Sequence, residues 1–430
     1  MVLWNLQRLL NGMRRSLAAP SRNPRAAVVI GRLLGAAFIL CFATGIYSHF
    51  IQDPLPWMHF PTRPIWIYQV SQGIHITAGI ACFPLLLAKL YAVFPELFQT
   101  PVVRSVPHIL ERASIALFVA SSIVQIVIGL INTYQWYQLF PFPFRQTHYA
   151  LSFVVVGSLA IHIAIKLPVI AQYWSKRSAF EADGVTLAER PAEPVGAPLV
   201  AAPPHDEVPV GGVTGKVIAW IDSTPKPRPD EVRTSRRGFF AIAGVAVAAV
   251  VGLTAGQSFR LLDGVNLFAP RKQGVGPSGL PINRTAAAAK VLESARDADW
   301  ALTVINGETS TTFTRAQLLA LPQYDVDLPI ACVEGWSQMA SWRGPRLRDL
   351  ADAVGARDGV AIRAVSLEKD SSYARTTVGP EWVRDELTLV ALELNGDVLD
   401  IDHGYPARLI APARPGVLQT KWLSSLEVIA

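Results

Sequence analysis

Cysteine is scarce in this chain. Its 430 residues carry three, Cys41, Cys82 and Cys332, with no CxxC pair and no Cys/His grouping at metal-ligand spacing, which excludes a zinc ribbon and an iron-sulfur cluster. Charge is scarce too. Only 17% of residues are charged against 51% hydrophobic, a balance too apolar for a wholly soluble protein, and the length exceeds one ordinary domain. Charge is missing altogether from residues 33–49, 64–88, 113–137 and 148–165, each near the roughly 20 residues that cross a bilayer. These runs predict four transmembrane helices, the first reaching back to Ala26 if Arg32 snorkels.

The basic residues that do occur are placed unevenly. Arg8, Arg14, Arg15, Arg22 and Arg25 precede the first run and Lys89, Arg104 and Arg112 lie between the second and third, whereas Arg63 and Arg145 stand almost alone in the other two loops. By the positive-inside rule the N-terminus, residues 1–25, is cytoplasmic. Trp57, Trp66, Tyr68, Trp136 and Tyr137 at the outer ends, with Tyr173 and Trp174 at the inner end of the fourth helix, fit interfacial belts. The net charge of +6 is therefore mostly a topology signal, and no nucleic-acid partner is expected.

Residues 178–233 are rich in Ala, Pro and Val, and Pro203-Pro204 and Pro225-Lys226-Pro227-Arg228-Pro229 cannot propagate helix or sheet. They read as a disordered cytoplasmic linker. After it, Ser235-Arg236-Arg237-Gly238-Phe239-Phe240 and an uncharged Ala/Val/Gly-rich run to Gly256 predict a fifth crossing over 234–256. This segment resembles a twin-arginine export signal, which implies passage through the twin-arginine translocase. That route moves folded domains, as a domain that acquires its cofactor in the cytoplasm requires. The plainer alternative is a pair of inside-positive flanking residues.

Four of the eight histidines fall on or at the ends of the apolar runs: His49, His75, His148 and His162. Imidazoles at membrane depth are costly and usually functional. His148 and His162, 14 residues apart on one helix, are separated by roughly 21 Å along the axis and by only about 40° in direction. Two ligands on one face at two depths suit stacked b haems in a helix bundle. The spacing, with Gly73-Ile74-His75-Ile76-Thr77-Ala78-Gly79 and the stretch from His148 to His162, resembles the bacterial cytochrome b561 and hydrogenase or formate dehydrogenase cytochrome b group over residues 26–177. The resemblance implies one or two b haems exchanging electrons with a quinone. Depth counting pairs His49 with His148 and His75 with His162; a single haem between His75 and His148 stays open, as do imidazoles that merely hydrogen-bond across helices.

Beyond the fifth helix, residues 257–430 show mixed periodicity. Trp300 to Ile305 alternates as a strand, Asn306-Gly307 is a hairpin signal, Thr314 to Leu321 begins as a capped helix, and Leu347 to Val354 reads as another helix. Leu387 to Leu394 and Ala407 to Ile410 read as strands. The expected fold is thus an all-α transmembrane four-helix bundle with a fifth anchoring helix, followed by a C-terminal α+β domain.

That domain carries Val304-Ile305-Asn306-Gly307, Ala331-Cys332-Val333-Glu334-Gly335-Trp336-Ser337, Ser341-Trp342-Arg343-Gly344, Asn395-Gly396, His403-Gly404-Tyr405-Pro406-Ala407-Arg408-Leu409-Ile410 and Lys421-Trp422. In this order they are similar to the sulfite oxidase-like molybdopterin domain over residues 281–430. The resemblance implies a molybdenum-molybdopterin cofactor with Cys332 as the protein's metal ligand, a thiolate being a suitable soft donor. It further implies that His403, Arg408 and Lys421 meet the phosphate and pterin, with Asn283, Arg284 and Ser337 as further contacts. Glu334, two residues past the cysteine as in the methionine-sulfoxide reductase branch, would supply a proton or serve as a structural carboxylate; Tyr373 would face the substrate.

The reading that follows is a five-span oxidoreductase of the bacterial inner membrane whose periplasmic molybdenum domain exchanges electrons with a quinone pool through haem. Its partner would be a small oxo-substrate, an S-oxide or N-oxide to be reduced or something like sulfite to be oxidised. Two rivals from other classes remain: a molybdenum-free haem conduit or ferric reductase, and a membrane scaffold that binds a ligand without turnover.

Overall fold

A computed structural model describes residues 21–98, 105–175 and 236–429, with a few isolated positions besides. The predicted linker and most of the N-terminal segment lie outside the described residues. Among the described residues five helices are long and apolar enough to cross a membrane, the pattern of a multi-pass membrane protein: α1 (Pro24–Gln52), α2 (Ile67–Val93), α3 (Val106–Thr133), α4 (Phe144–Trp174) and α5 (Arg236–Thr254). The first four begin ahead of their uncharged run or continue past it, because backbone hydrogen bonding carries on into polar ends. At the start of α1, Asn23 accepts from the Ala26 N–H at 2.9 Å, capping a terminus that hydropathy alone does not mark. Arg32 lies over the Trp174 ring at 3.9 Å, so the positive charge inside α1 is met by an aromatic face.

Residues group into two compact units that interleave along the chain. One gathers Met1–Phe42, Ala78–Leu130 and Gln138–Val251; the other gathers Ala43–Thr77, Ile131–Tyr137 and Gly252–Ala430. In the first unit, residues four apart share a helix face. Ala26, Ile30, Leu34 and Phe38 of α1, Ala78, Cys82 and Leu86 of α2, Val155 and Leu159 of α4, and Phe239 and Ala243 of α5 make one buried cluster with Phe118 of α3. Lys166 of α4 meets Glu111 of α3 in this unit at 2.5 Å.

The second unit is α+β. Strands β1 (Ala301–Asn306), β2 (Thr309–Thr314), β5 (Ala361–Ser366), β6 (Arg375–Val378) and β11 (Leu423–Ile429) form a sheet in the order β2-β1-β11-β5-β6, with β1 and β11 parallel. A second sheet runs β3 (Tyr324–Ala331), β4 (Ser337–Gly344), β8 (Glu393–Leu394) and β9 (Asp397–Val398), and β7 (Leu389–Ala391) pairs with β10 (Arg408–Ile410). The Asn306-Gly307 hairpin forms as expected, Gly307 taking φ 57°. Thr314 and Gln317 make a reciprocal capping box on the helix Arg315–Ala320. The single strand expected over Leu387 to Leu394 is instead broken: Leu389–Ala391 pairs with β10 and Glu393–Leu394 with β4. A local apolar pattern cannot reveal that one segment serves two sheets. Ile51 and Tyr68, from the ends of α1 and α2, are buried with Leu302, Leu350 and Leu426 in this unit's main core.

Candidate functional site

Strands β3 and β4 pair without interruption from Tyr324 opposite Gly344 to Ala331 opposite Ser337, so residues 332–336 close a hairpin. Within it Cys332 N–H donates to the Trp336 carbonyl at 2.9 Å and Gly335 N–H to the Cys332 carbonyl at 3.0 Å. Gly335 has φ 102°, and a Cβ there would fall 2.7 Å from Ile76 Cγ1, so both backbone and space require glycine. Cys332 is buried, 1% exposed. Burial pushes its thiol well up, the Glu334 carboxylate adding to this, while the backbone N–H of Glu334 and the cations Lys421 and Arg271 oppose it. Glu334 is itself buried and its carboxyl is raised by that burial, against the hydrogen bond from Gln135 and the positive charge of Arg271.

The basic residues come from the segment 400–421. His403 ends a short turn after Asp400, and Gly404 follows at φ 115°, where a Cβ would lie 3.1 Å from Lys421 and 3.2 Å from the Arg408 side chain; glycine lets the three residues converge. Arg408 is 2% exposed, donates to the His403 carbonyl at 3.1 Å and lies over Trp342 at 5.3 Å. Its Nε has no hydrogen-bond partner among the described residues. Burial lowers it to about 9. Lys421 donates to the carbonyls of Asp402 at 2.7 Å and Arg284 at 2.9 Å, and burial, with Arg408 beside it, lowers it to about 7. The Cys332 sulfur acts on both cations in the opposite sense, so thiol, carboxyl and cations share one buried neighbourhood. Among the described residues no group of three or more His, Cys, Asp or Glu could hold a metal ion; the expected centre takes a single protein sulfur.

The remaining expected residues lie as follows. Asn283 accepts at its carbonyl from Gln135 at 3.0 Å. The Arg284 guanidinium is paired with Glu368. Ser337 donates to the Ser258 carbonyl at 3.3 Å and accepts from Gln69 at 3.1 Å. Tyr373 donates to Gln52 Oε1 at 3.0 Å. His49 and His75 belong to the second compact unit, His148 and His162 to the first. His75 Nδ1 lies 3.2 Å from Thr44 Oγ1, and His162 stacks on Phe118 with its Nδ1 buried and without a hydrogen-bond partner among the described residues.

Sequence reasoning passed over the residues that hold the Cys332 turn. Gln72 donates to the Val333 carbonyl at 3.0 Å, Gln257 to the Glu334 carbonyl at 3.2 Å, Ser258 to the Gly335 carbonyl, Gln273 to the Ser337 carbonyl at 3.0 Å, and Gln135 to the Glu334 carboxylate. Arg271 completes the set by donating to Gln135 Oε1 at 3.0 Å. Tyr137 lies near Glu334, Cys332 and Tyr373, its hydroxyl raised by burial and then by these neighbours. Gln72 carried one usable signal, a polar amide within an uncharged run. Arg414, 2% exposed with Nε and Nη1 unpartnered among the described residues, was also passed over.

Residues 288–430 match the oxidoreductase molybdopterin binding domain family. A sulfite oxidase of Arabidopsis thaliana is 28% identical over a region covering 26% of this chain and 37% of that protein. An uncharacterized oxidoreductase, YuiH, of Bacillus subtilis is 28% identical over 25% of this chain and 54% of that protein. A putative protein-methionine-sulfoxide reductase subunit, YedZ1, of Azospira oryzae is 28% identical over 27% of this chain and 43% of that protein. The chain therefore spans between about a third and about a half of the length of these relatives. The C-terminal part of the chain is a sulfite oxidase-like oxidoreductase molybdopterin-binding domain.

Proposed function

We propose that this chain is a membrane-bound molybdenum oxidoreductase that joins a quinone pool, through b haem, to oxygen-atom transfer on a small oxo-substrate. The observation that carries the reading is the buried Cys332 thiol within electrostatic reach of Arg408 and Lys421, buried cations whose hydrogen bonds among the described residues run to carbonyl oxygens. Buried positive charge without a bonded anion is expensive. A phosphate and pterin would satisfy it, and the unpartnered Arg408 Nε is a donor waiting for such a group. The residues fit the cofactor: Cys332 would hold the metal, Arg408 and Lys421 with His403 would hold phosphate and pterin, and Asn283, Arg284 and Ser337 would add contacts.

When bound, molybdenum with its pterin dithiolene supplies two-electron oxygen-atom transfer. Around it Glu334, fixed by Gln135, would hold the proton that an oxo-substrate takes up or releases, and Tyr373, fixed by Gln52, would face the substrate. The name of the Azospira relative favours S-oxide reduction and that of the Arabidopsis relative sulfite-like oxidation; both stay within the oxo-substrate class.

The haem part of the reading rests on His49, His75, His148 and His162. Thr44 orients His75 through Nδ1, and glycines stand against two of the rings, Gly45 where a Cβ would be 3.0 Å from His75 Cε1 and Gly129 where it would be 3.5 Å from His148 Cε1. Such small neighbours suit a bulky planar group. A b haem supplies the one-electron steps that a quinone requires. The basic-residue asymmetry supports a cytoplasmic N-terminus in a bacterial inner membrane with the α+β part periplasmic, and Arg236-Arg237 supports export by the twin-arginine translocase.

The test is direct. The full chain, purified from membranes in detergent, should carry molybdenum and haem, be reduced by a quinol analogue, and show haem bands that reoxidise on adding a candidate oxide. Cys332→Ser should abolish reoxidation and leave the reduced spectrum intact, whereas His162→Ala should alter the spectrum itself. Haem without molybdenum in well-matured material would defeat the proposal in favour of an electron conduit.

A further inference from the structure

Large apolar side chains are left uncovered over residues 261–268. Leu261 is 98% exposed, Leu267 68% and Phe268 59%, with Val265 exposed beside them. They belong to the stretch that follows α5, where two short turns, Gly256–Ser258 and Arg260–Val265, fold the chain back on itself. The fold-back is tightly built. A Cβ on Gly256 would collide with Asn266 Cβ and the Leu262 carbonyl, and Asn266, 1% exposed, accepts from the Ala269 N–H at 3.3 Å. The Phe268 N–H donates to the Leu253 carbonyl at 2.9 Å. Leu253 lies in the last turn of α5, a helix long and apolar enough to cross a membrane. Phe268 is therefore held level with the end of that helix, where a bilayer would have its surface. The Tyr134 hydroxyl donates to the Phe268 carbonyl and fastens the fold-back to the segment after α3, which carries the exposed Trp136, an aromatic of the kind found at membrane interfaces.

We propose that residues 260–268 are a membrane-surface foot: Leu261, Val265, Leu267 and Phe268 enter the boundary between headgroups and acyl chains of the leaflet at which α5 ends, and the partner they meet is phospholipid. Apolar side chains grouped on one exposed segment mark an interaction site, and a segment lying in the interface sinks its apolar side about 5–10 Å into that boundary with basic residues at the headgroups. Arg260 and Lys272, both exposed, flank the apolar group. The one acidic residue between them, Asp263, accepts from the Gln273 N–H at 3.3 Å and is turned to the fold-back itself. A second copy of the chain is the poorer occupant, since four apolar side chains on one loop are few beside the roughly 20 residues a side of a standard protein interface. The foot also has a use. Polar residues on either side of it hold the Cys332 turn: Gln257 donates to the Glu334 carbonyl at 3.2 Å, Ser258 to the Gly335 carbonyl and Gln273 to the Ser337 carbonyl at 3.0 Å. Lipid contact at residues 260–268 thus fixes the height of that turn over the bilayer. The foot needs neither molybdenum nor haem.

The experiment attaches a nitroxide spin label to Leu261→Cys in the full-length protein, reconstituted in phosphatidylcholine nanodiscs. Glu308→Cys, at the exposed turn between β1 and β2, is the reference, and the unsubstituted protein, whose Cys82 and Cys332 are buried and Cys41 partly so, is the labelling blank. Oxygen concentrates in lipid and a water-soluble nickel chelate is kept out of it, so the ratio of the two collision rates reads depth. At Leu261 that ratio should exceed the Glu308 value several-fold, and a label at Leu267→Cys should agree with it. Equal ratios at Leu261 and Glu308 overturn the proposal, since the segment would then stand in water. A label at Leu261 shielded from both relaxants, with spin–spin broadening that disappears on dilution into unlabelled protein, overturns it in favour of a second copy. Where Leu261→Cys folds poorly, Leu267→Cys carries the same outcomes alone. Samples with and without bound metal should give the same ratio, so failure of the metal or haem reading leaves this result standing, and the reverse.

Discussion

The two compact units differ in what they bury. In the helical unit the cluster is mostly Ala, Leu, Ile and Phe at four-residue spacing, with Lys166 and Glu111 as an ion pair and Asn23, His108 and Ser122 among its buried polar side chains. In the α+β unit an apolar core of equal quality coexists with Glu334, His403, Arg408, Arg414 and several amides, all under 10% exposed. Unpaired buried polar groups cost several kcal/mol, so a fold retains such a set where a ligand or a reaction uses it. The contrast teaches where to look for the chemistry of the molybdopterin-binding domain: on the strands and turns of the second unit, and on those parts of α1, α2 and the α3–α4 loop that belong to it, whereas the histidines His148 and His162 lie in the helical unit.

The comparison is broken most severely by truncating equivalent apolar residues. Leu350, 0% exposed in the α+β core, and Leu34, 3% exposed in the helical cluster, lose the same three carbons on replacement by alanine. Leu350→Ala removes both packing and transfer out of water and should cost about 3 kcal/mol. In a membrane the unfolded reference for Leu34 is lipid as apolar as leucine, so only packing is lost, and Leu34→Ala should cost on the order of 1 kcal/mol. Equilibrium denaturation in detergent with one fluorescent probe per unit measures both; equal losses would show that the helical unit is stabilised by water exclusion after all.

A smaller effect sharpens the polar side of the contrast. Burial, and then Arg408 and Lys421, push the His403 imidazole down from 6.5 to about 3, against hydrogen bonds to the carbonyls of Pro277 and Leu280. A histidine with a lowered folded value takes its proton first in the unfolded chain, so stability is lost as pH falls from 6.5 toward 3, at up to about 1.4 kcal/mol per pH unit. His403→Asn should be less stable at pH 7.5 and should flatten that acid slope in the unfolding of the α+β unit. An unchanged slope would mean that some other group takes up the proton.

Much of this layout is legible in the chain. Uncharged runs mark all five helices, since a bilayer leaves a compositional imprint that no tertiary contact can erase. Asn306-Gly307 and Thr314 with Gln317 are local devices whose partners lie within a few residues, and they form as read. Cys332, Arg408 and Lys421 are brought into one buried neighbourhood, each arriving from a separate motif. What stays hidden is carried by distant pairings. Gln72, Gln135 and Gln257 act on targets 261, 199 and 77 residues away, and a glutamine announces nothing of its partner. Strands β5, β6 and β11 escape for the same reason, their sheet being knitted from remote segments. Leu387 to Leu394 misleads because a break between two sheets leaves no trace in an unbroken apolar pattern.

The smallest effect lies in the ion pairs, and it tests whether the contrast extends to charge. Lys290 and Asp370 of the α+β unit meet at 3.1 Å with side chains 78% and 70% exposed, whereas Lys166 and Glu111 of the helical unit meet at 2.5 Å with 25% and 15% exposed. Water screens the first pair and offsets its attraction with the entropy of holding two long side chains, so Asp370→Asn should change stability by less than about 0.5 kcal/mol. The second pair is largely withdrawn from water, and Glu111→Gln leaves the mostly buried Lys166 ammonium beside a neutral amide in place of the carboxylate. That should cost about 1 to 2 kcal/mol, less than the figure for a fully buried pair because a quarter of the Lys166 side chain still reaches solvent. Raising salt to about 1 M should erase what little Asp370→Asn does and leave the Glu111→Gln deficit nearly intact. If the two variants respond to salt alike, the helical unit is wetter at Glu111 than its burial implies, and the charge contrast between the units fails.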